Sequence, residues 1–140
     1  MLTPPVLDPR SDRLAATAGP HLNLGGPFRD LAPEIHRQRL VVEGLVSAPI
    51  VEHEIVGYLK ELGSITDMTV LAEPVTNRSP LYGWAAWVHW ETSGAHFYAW
   101  DAPHLFFSVD MYTCKAFAPS PVVEFTQEYF RATEIQSHGF

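Results

Sequence analysis

The chain has 140 residues, 46% of them hydrophobic and 12% aromatic, which is enough for one buried core and one domain. Its formal net charge is -7 and its nine Lys and Arg residues are scattered, which argues against nucleic acid or an anionic membrane as a partner. No apolar run reaches the roughly 20 residues of a membrane span, and no signal peptide is recognisable, so we expect a cytoplasmic protein without membrane contact.

Cys114 is the only cysteine. One cysteine allows no disulfide within the chain and no cysteine-based zinc site. His89, Glu91 and His96 are close in sequence and could in principle ligate a metal, but a third well-placed histidine is missing. We therefore predict no metal site.

Residues 1–33 are rich in proline and glycine, a composition that disfavours helices and strands. We interpret them as an N-terminal arm that lies over the domain or over a partner subunit. The remaining residues, 34–140, are predicted to form the folded domain.

The first half of this domain predicts a strand and then a helix. Residues 39–46 are short, β-branched and followed by Pro49, which indicates a strand. In residues 51–62 the apolar positions recur at helical spacing, and Gly63 ends the pattern as a C-cap would. This pattern is typical of an amphipathic helix that packs on a sheet.

The second half predicts four strands and a second helix. We expect strands at 68–72, 83–91, 96–100 and 105–114, with a loop over 73–80 and a tight turn at Ser93-Gly94. Ser120 as N-cap and Pro121 at the first helical position predict a helix to about residue 131. The fold class is therefore α+β: a two-layer sandwich with an antiparallel-rich sheet and two helices on one face.

Strand alternation separates the side chains into two faces. One face is apolar, and we predict that the helices bury it: Leu40, Val42, Val46, Trp84, Ala86, Val88, Trp90, Phe97, Ala99, Phe107, Val109 and Met111. The other face mixes ionisable and aromatic groups: Arg39, Glu43, Trp87, His89, Glu91, His96, Tyr98, Trp100, Ser108, Asp110, Tyr112 and Cys114. Such a face can pair with another sheet, bind a ligand whose base or cation contacts the rings, or do both.

The sequence His96-Phe97-Tyr98-Ala99-Trp100, a short turn and then Asp110-Met111-Tyr112-Thr113-Cys114 resembles the prokaryotic S-adenosylmethionine decarboxylase family. In that family the second of two strands ends in a similar Asp-x-Tyr-Thr-Cys. Glu43, on a strand followed by an amphipathic helix, matches a glutamate near the family's active site. The resemblance covers about residues 37–130 and implies the fold of that family.

The resemblance also implies a pyruvoyl-dependent carboxy-lyase that acts on S-adenosylmethionine. In the family, a serine after a glutamate attacks the preceding carbonyl, the chain is cleaved, and the pyruvoyl group that remains acts as electron sink during loss of CO2. The corresponding stretch here reads Glu91-Thr92-Ser93, without an adjacent Glu-Ser pair. Alignment on Ser93 makes Thr92-Ser93 the bond to be cleaved, whereas alignment through His96 places Ala95 at the serine position.

The resemblance and the composition of this face together give a set of candidate site residues. The catalytic candidates are Ser93 as the processed residue, His96 as an acid-base group and Cys114 as the proton donor. The candidate substrate-binding residues are Glu43, Trp87, Glu91, Tyr98, Asp110 and Tyr112.

Three functional hypotheses follow. In the first, the chain is a decarboxylase with a self-derived pyruvoyl group at residue 93. In the second, it is an uncleaved homologue that has no cofactor, binds S-adenosylmethionine or an amino-acid-like ligand, and catalyses a different reaction. In the third, it is a non-catalytic partner subunit. The non-catalytic subunit would pair through its sheet with an active homologue. Our prediction for the oligomer is at least a homodimer, because an open aromatic face is costly to leave in water.

Overall fold

A computed structural model describes residues 24–140 of the chain. The part of the predicted arm formed by residues 1–23 lies outside the described residues. By its internal contacts Glu34–Phe140 forms one compact unit, and residues 24–33 belong to a separate one. The fold described below is that of Glu34–Phe140.

The unit contains six strands and two helices. They are, in chain order, β1 (Gln38–Leu45), α1 (Glu52–Ile65), β2 (Val75–Ser79), β3 (Gly83–Trp90), β4 (Ser93–Trp100), β5 (Phe106–Thr113), α2 (Pro119–Phe130) and β6 (Glu134–Gly139). The strands form one sheet in the order β2-β3-β4-β5-β1-β6, and every neighbouring pair is antiparallel. The predicted α+β fold class is confirmed.

Within residues 24–140 no helix has the length and apolarity needed to cross a membrane.

Both helices cover the face of the sheet that the alternation predicts to be apolar. Val42, Phe97 and Val109 are fully buried there, on three adjacent strands. Of the twelve residues predicted for this face, Val46 and Trp84 are the two that remain partly exposed, at the margin of the core. An antiparallel sheet with one covered face requires this alternation, and this is why the assignment of faces from sequence is correct.

The predicted strand at 68–72 is wrong, and the predicted loop at 73–80 contains a strand. Residues 68–72 make one isolated bridge, Val70 to Trp90. The rest of the outer edge of β3 is occupied by β2, whose Val75 pairs with Trp87 and whose Ser79 pairs with Gly83. β2 is polar and mostly exposed, so its hydrogen bonds to β3 define it rather than any apolar pattern.

Strand β6 and the position of the β3-β4 turn also differ from the prediction. β6 is polar and exposed, and it forms because its backbone pairs with the free edge of β1. The turn lies at Glu91 and Thr92, so that Ser93 and Gly94 are the first two residues of β4 rather than the turn itself.

The helix ends lie close to their predicted positions. Helix α2 starts at Pro119 with Ala118 as N-cap, two residues before the predicted Ser120-Pro121 start. Helix α1 continues past Gly63 to Ile65, and Gly63 is buried within it. A Cβ at Gly63 would lie 3.2 Å from Nε1 of the buried Trp90, so this glycine allows the helix to approach the indole ring closely and does not act as the C-cap.

Tyr58 connects the two helices inside the core. Its ring packs against Phe97 of the sheet and Phe130 of α2, with ring centres 5.6 and 4.7 Å apart. Its hydroxyl lies 2.8 Å from Oγ1 of Thr126, which itself donates to the carbonyl of Val122. The Tyr58 hydroxyl is therefore the donor of the first bond. Burial raises the pKa of Tyr58, and the hydrogen bond to Thr126 lowers it by less.

We predict that Tyr58→Phe changes both the size and the pH dependence of stability. Loss of the hydrogen bond should cost about 1 kcal/mol at neutral pH. Because the pKa of Tyr58 is raised in the folded state, its contribution is complete below the unfolded-state pKa of about 10 and is lost as the pH rises above it. Tyr58→Phe should therefore lose less stability than the wild type above pH about 10.

Urea unfolding measured from neutral pH to above pH about 10 tests this prediction. The pKa of Tyr129 is also raised, by burial and by the nearby carboxylates of Glu61 and Glu54. Tyr129 therefore contributes to the slope of unfolding free energy against pH in both proteins. Tyr112→Phe, on an exposed ring, is the matched control and should follow the wild type. Equal alkaline slopes in Tyr58→Phe and the wild type would contradict the prediction.

Candidate functional site on the open face of the sheet

The face of the sheet opposite the helices, which we call the open face, carries exposed aromatic side chains. Trp87, Tyr98 and Tyr112 are 42%, 40% and 51% exposed. The strand register orders this face into rows that run across the strands. One row is His89, Gly94 and Tyr112, and the next is Trp87, His96 and Asp110.

A cleft of about 690 Å³ lies over these two rows. Gly94 forms its floor, because its neighbours in the row, His89 and Tyr112, carry large side chains and Gly94 has none. A Cβ at Gly94 would project from this floor, 3.1 Å from the carbonyl oxygen of Val88. The second row, with Trp87 at one end and Asp110 at the other, extends the lining of the cleft.

The β3-β4 turn and the end of β5 close one end of the cleft. Glu91 and Thr92 in the turn, and Cys114 directly after β5, line this end. The backbone N–H of Cys114 donates a hydrogen bond of 2.9 Å to the carbonyl oxygen of Thr92. This bond connects the turn to the end of β5, and it places the exposed Cys114 thiol at the same end of the cleft as the Thr92-Ser93 peptide bond.

The Ser93 side chain points away from the open face. Ser93 alternates with Gly94 and lies on the same side of β4 as the buried Ala95. Its Oγ is 3.0 Å from Oγ1 of Thr92 and 3.5 Å from Sδ of Met68. His96, the predicted acid-base group, is on the other face of the same strand.

Asp110 is held by a fork-shaped ion pair with Arg39 of β1. Nε and Nη2 of Arg39 donate to the two carboxylate oxygens of Asp110 at 2.9 and 2.8 Å. These hydrogen bonds, and then the charge of Asp110, raise the pKa of Arg39. The guanidinium also lies over the ring of Phe140, 4.9 Å from its centre. One edge and one face of the guanidinium are therefore fixed by neighbouring groups.

The cleft brings together seven of the nine predicted site residues: Ser93, His96, Cys114, Trp87, Glu91, Asp110 and Tyr112. Tyr98 lies beyond His96 and lines a separate apolar cavity at the other end of β3 and β4, with Tyr82 and Trp100. Glu43 is on β1 beside a shallow depression with Leu45 and Glu134. Among residues 24–140 no cluster of three or more His, Cys, Asp or Glu side chains could hold a metal ion.

Sequence reasoning missed two residues that shape this site. The sequence predicts Gly94 in a turn, although its place in the row with His89 and Tyr112 makes it the floor of the cleft. Arg39 was assigned to the correct face but to no site, because its pairing with Asp110 depends on β1 lying next to β5. The opposite charges of Arg39 and Asp110 on one face were the available signal, and the strand order needed to interpret it was not readable from the sequence.

Comparison with known proteins adds two findings. The sequence profile of the S-adenosylmethionine decarboxylase family matches residues 50–140. The crystal structure of the adenosylmethionine decarboxylase from Aquifex aeolicus is similar in fold, with a TM-score of 0.61 and 13% sequence identity, over 76% of this chain and 89% of that one. No curated protein matches the chain.

Proposed function

Because the chain belongs to the S-adenosylmethionine decarboxylase family, we propose that it is a carboxy-lyase that binds S-adenosylmethionine or a related amino acid in the cleft of the open face. The observation that carries this proposal is the position of the Thr92-Ser93 peptide bond. It lies at the end of the cleft that Glu91, Thr92 and Cys114 line, and its carbonyl oxygen accepts a hydrogen bond from the Cys114 backbone N–H.

The residues around this bond fit the formation of a pyruvoyl group at position 93. Attack of Ser93 Oγ on the Thr92 carbonyl carbon would place negative charge on the carbonyl oxygen, which the N–H of Cys114 contacts at 2.9 Å. The Thr92 hydroxyl lies 3.0 Å from Ser93 Oγ and can orient the nucleophile by a hydrogen bond. A pyruvoyl group at this position supplies the electron sink for the loss of CO2.

The other residues of the cleft match the parts of such a substrate. The rings of Trp87 and Tyr112 offer faces to a planar base or to a sulfonium cation. The carboxylate of Glu91 attracts a cationic group at the end of the cleft where Cys114 lies. The thiol of Cys114 can give a proton to the carbon that loses CO2, and the imidazole of His96 is available as an acid-base group.

A second candidate function is ligand binding by the uncleaved chain, followed by a different reaction or by none. The side chain of Ser93 favours it. Among the described residues, its hydroxyl has Thr92 and Met68 as hydrogen-bond partners, and neither is an imidazole or a carboxylate that could act as a strong base. Under this alternative the cleft and its ligand are the same, and the chain has no cofactor.

The open face also supports a homodimer. Trp87, Tyr98 and Tyr112 are exposed together on it, and groups of both charge signs surround them, so a second copy of the same face can be complementary. We propose this second copy as the partner of the open face. If the chain is instead a non-catalytic partner subunit, the open face would pair with a related active chain in place of a second copy.

The decarboxylase proposal predicts that the full-length protein releases CO2 from S-adenosylmethionine. Ser93→Ala removes the only atom that can start cleavage at this bond, so release should fall to the buffer background. Ser108→Ala, at a partly buried serine of β5 outside the cleft, is the control and should retain wild-type activity. Equal CO2 release from Ser93→Ala and the wild type, or none from either, would refute the proposed reaction.

Binding in the cleft predicts that Gly94→Val weakens the affinity for S-adenosylmethionine. The added side chain fills the floor between His89 and Tyr112, and a loss of about tenfold or more is expected by isothermal titration calorimetry. Gly139→Val is the matched control, since a Cβ at this β6 glycine meets no atom within 4 Å. Unchanged affinity in a folded Gly94→Val protein would place the ligand elsewhere.

The homodimer proposal predicts twice the 15.7 kDa chain mass by light scattering. Trp87→Glu, which adds a charge to the centre of the open face, should yield a folded monomer. Leu81→Glu, at an exposed position in the β2-β3 turn, should leave the dimer intact. A monomeric wild type with native circular dichroism would contradict the proposal.

A further inference from the structure

Strand β6 forms one edge of the sheet, and its outer side is open to solvent. Within residues 24–140, β1 is the one strand that pairs with it. Five of the six residues of β6 are exposed and Ile135 is half-buried, so the strand is accessible along its whole length. An edge of this kind offers backbone N–H and C=O groups to a further strand.

The backbone groups of β6 point alternately toward β1 and away from it. The N–H of Phe140 donates a hydrogen bond of 3.0 Å to the carbonyl oxygen of Arg39, so the backbone groups of Phe140 face β1. In an antiparallel pair every second residue faces its partner strand in this way. The N–H and C=O groups of Ile135, Ser137 and Gly139 therefore face outward, as a row of donors and acceptors that another strand can use.

The opposite edge of the sheet, β2, has two features that discourage pairing with a further strand. Pro74 and Pro80 flank β2, and proline has no N–H to donate. β2 also carries Arg78, and charged side chains protect the edges of natural sheets. β6 contains neither proline nor a Lys or Arg residue. Of the two edges, β6 is therefore the one suited to pairing.

We propose that the β6 edge is a docking surface for a second copy of this chain, which pairs with it antiparallel through its own β6. Pairing centred on Gln136 gives a contact with two-fold symmetry. Ile135 of each copy then lies opposite Ser137 of the other, and the outward backbone groups of each such pair exchange hydrogen bonds. The inference does not depend on the proposed reaction or on the open-face dimer, because it uses backbone groups at the edge of the sheet.

The side chains of β6 favour this register. Val41 of β1 pairs with both Asp110 and His138, so His138 lies on the open face, and Glu134 lies there too by alternation. With Gln136 at the centre, the carboxylate of Glu134 in one copy lies opposite the imidazole of His138 in the other, and the symmetry produces this contact twice. Opposite Cβ atoms in antiparallel strands are about 5 Å apart, so the imidazole can donate a hydrogen bond to the carboxylate.

The contact between two β6 edges is expected to be weak. A strand of six residues covers less surface than the roughly 1,600 Å² of a standard stable interface. We therefore expect a dissociation constant on the order of 10⁻⁴ M. At such an affinity the edge contact adds to the open-face dimer only at high protein concentration.

Sedimentation equilibrium of the full-length Trp87→Glu chain, from about 10 µM to about 1 mM, tests the edge contact without the open-face dimer. We expect monomers at the low concentration and dimers at the high one. Ser137→Pro removes an outward N–H that β1 does not use, and it should weaken this association at least about tenfold. Ser137→Thr keeps the N–H and is the matched control, which should associate as the parent does.

Two charge variants in the same chain test the register. His138→Glu puts two carboxylates opposite each other and should weaken the dimer. Glu134→Lys, added to it, puts an ammonium opposite a carboxylate and should restore the association. A general effect on folding cannot produce such a recovery, and its absence would contradict pairing centred on Gln136.

The inference fails if the Trp87→Glu chain is monomeric at about 1 mM, or if Ser137→Pro and Ser137→Thr associate equally. Amide hydrogen exchange of the wild type gives a second readout that needs no variant. The amides of Ile135 and Ser137 should become more protected as the protein concentration rises. Equal protection of these amides at about 10 µM and about 1 mM would overturn the inference and leave the proposed function untouched.

Discussion

The pairing of β4 with β3 on one side and β5 on the other is the constraint on which the candidate site depends. This register places Gly94 between His89 and Tyr112, and thus creates the floor of the cleft. The same register directs Ala95 and Phe97 into the core, so a shift by one residue would expose the core and fill the cleft at once. Burial of the helix-covered face therefore fixes the geometry of the open face.

The fold was predictable to the extent that burial leaves a periodic pattern. The apolar alternation of β1, β3, β4 and β5 and the helical spacing of α1 follow from the packing of one face on a core, and they are visible in the sequence. β2 and β6 are the two edge strands and are mostly exposed. Backbone hydrogen bonds to a neighbouring strand form them, and such bonds leave no pattern in the side chains.

The candidate site was predictable in composition but not in arrangement. Alternation assigned Trp87, His96 and Asp110 to one face, and their assembly into one cleft agrees with that assignment. Glu43 and Tyr98 are on the same face but lie outside the cleft, because distance along a face depends on strand order and register. The role of Gly94 depends on its neighbours in other strands, and so does the partner of Arg39.

We propose that this chain cleaves its own Thr92-Ser93 bond and uses the product in catalysis. The intact mass of the purified full-length protein under denaturing conditions tests it most directly. We expect two fragments, of which the smaller begins with a pyruvoyl group at residue 93 and ends at Phe140. A single uncut chain of 15.7 kDa that persists over days would contradict this claim and leave ligand binding as the function of the cleft.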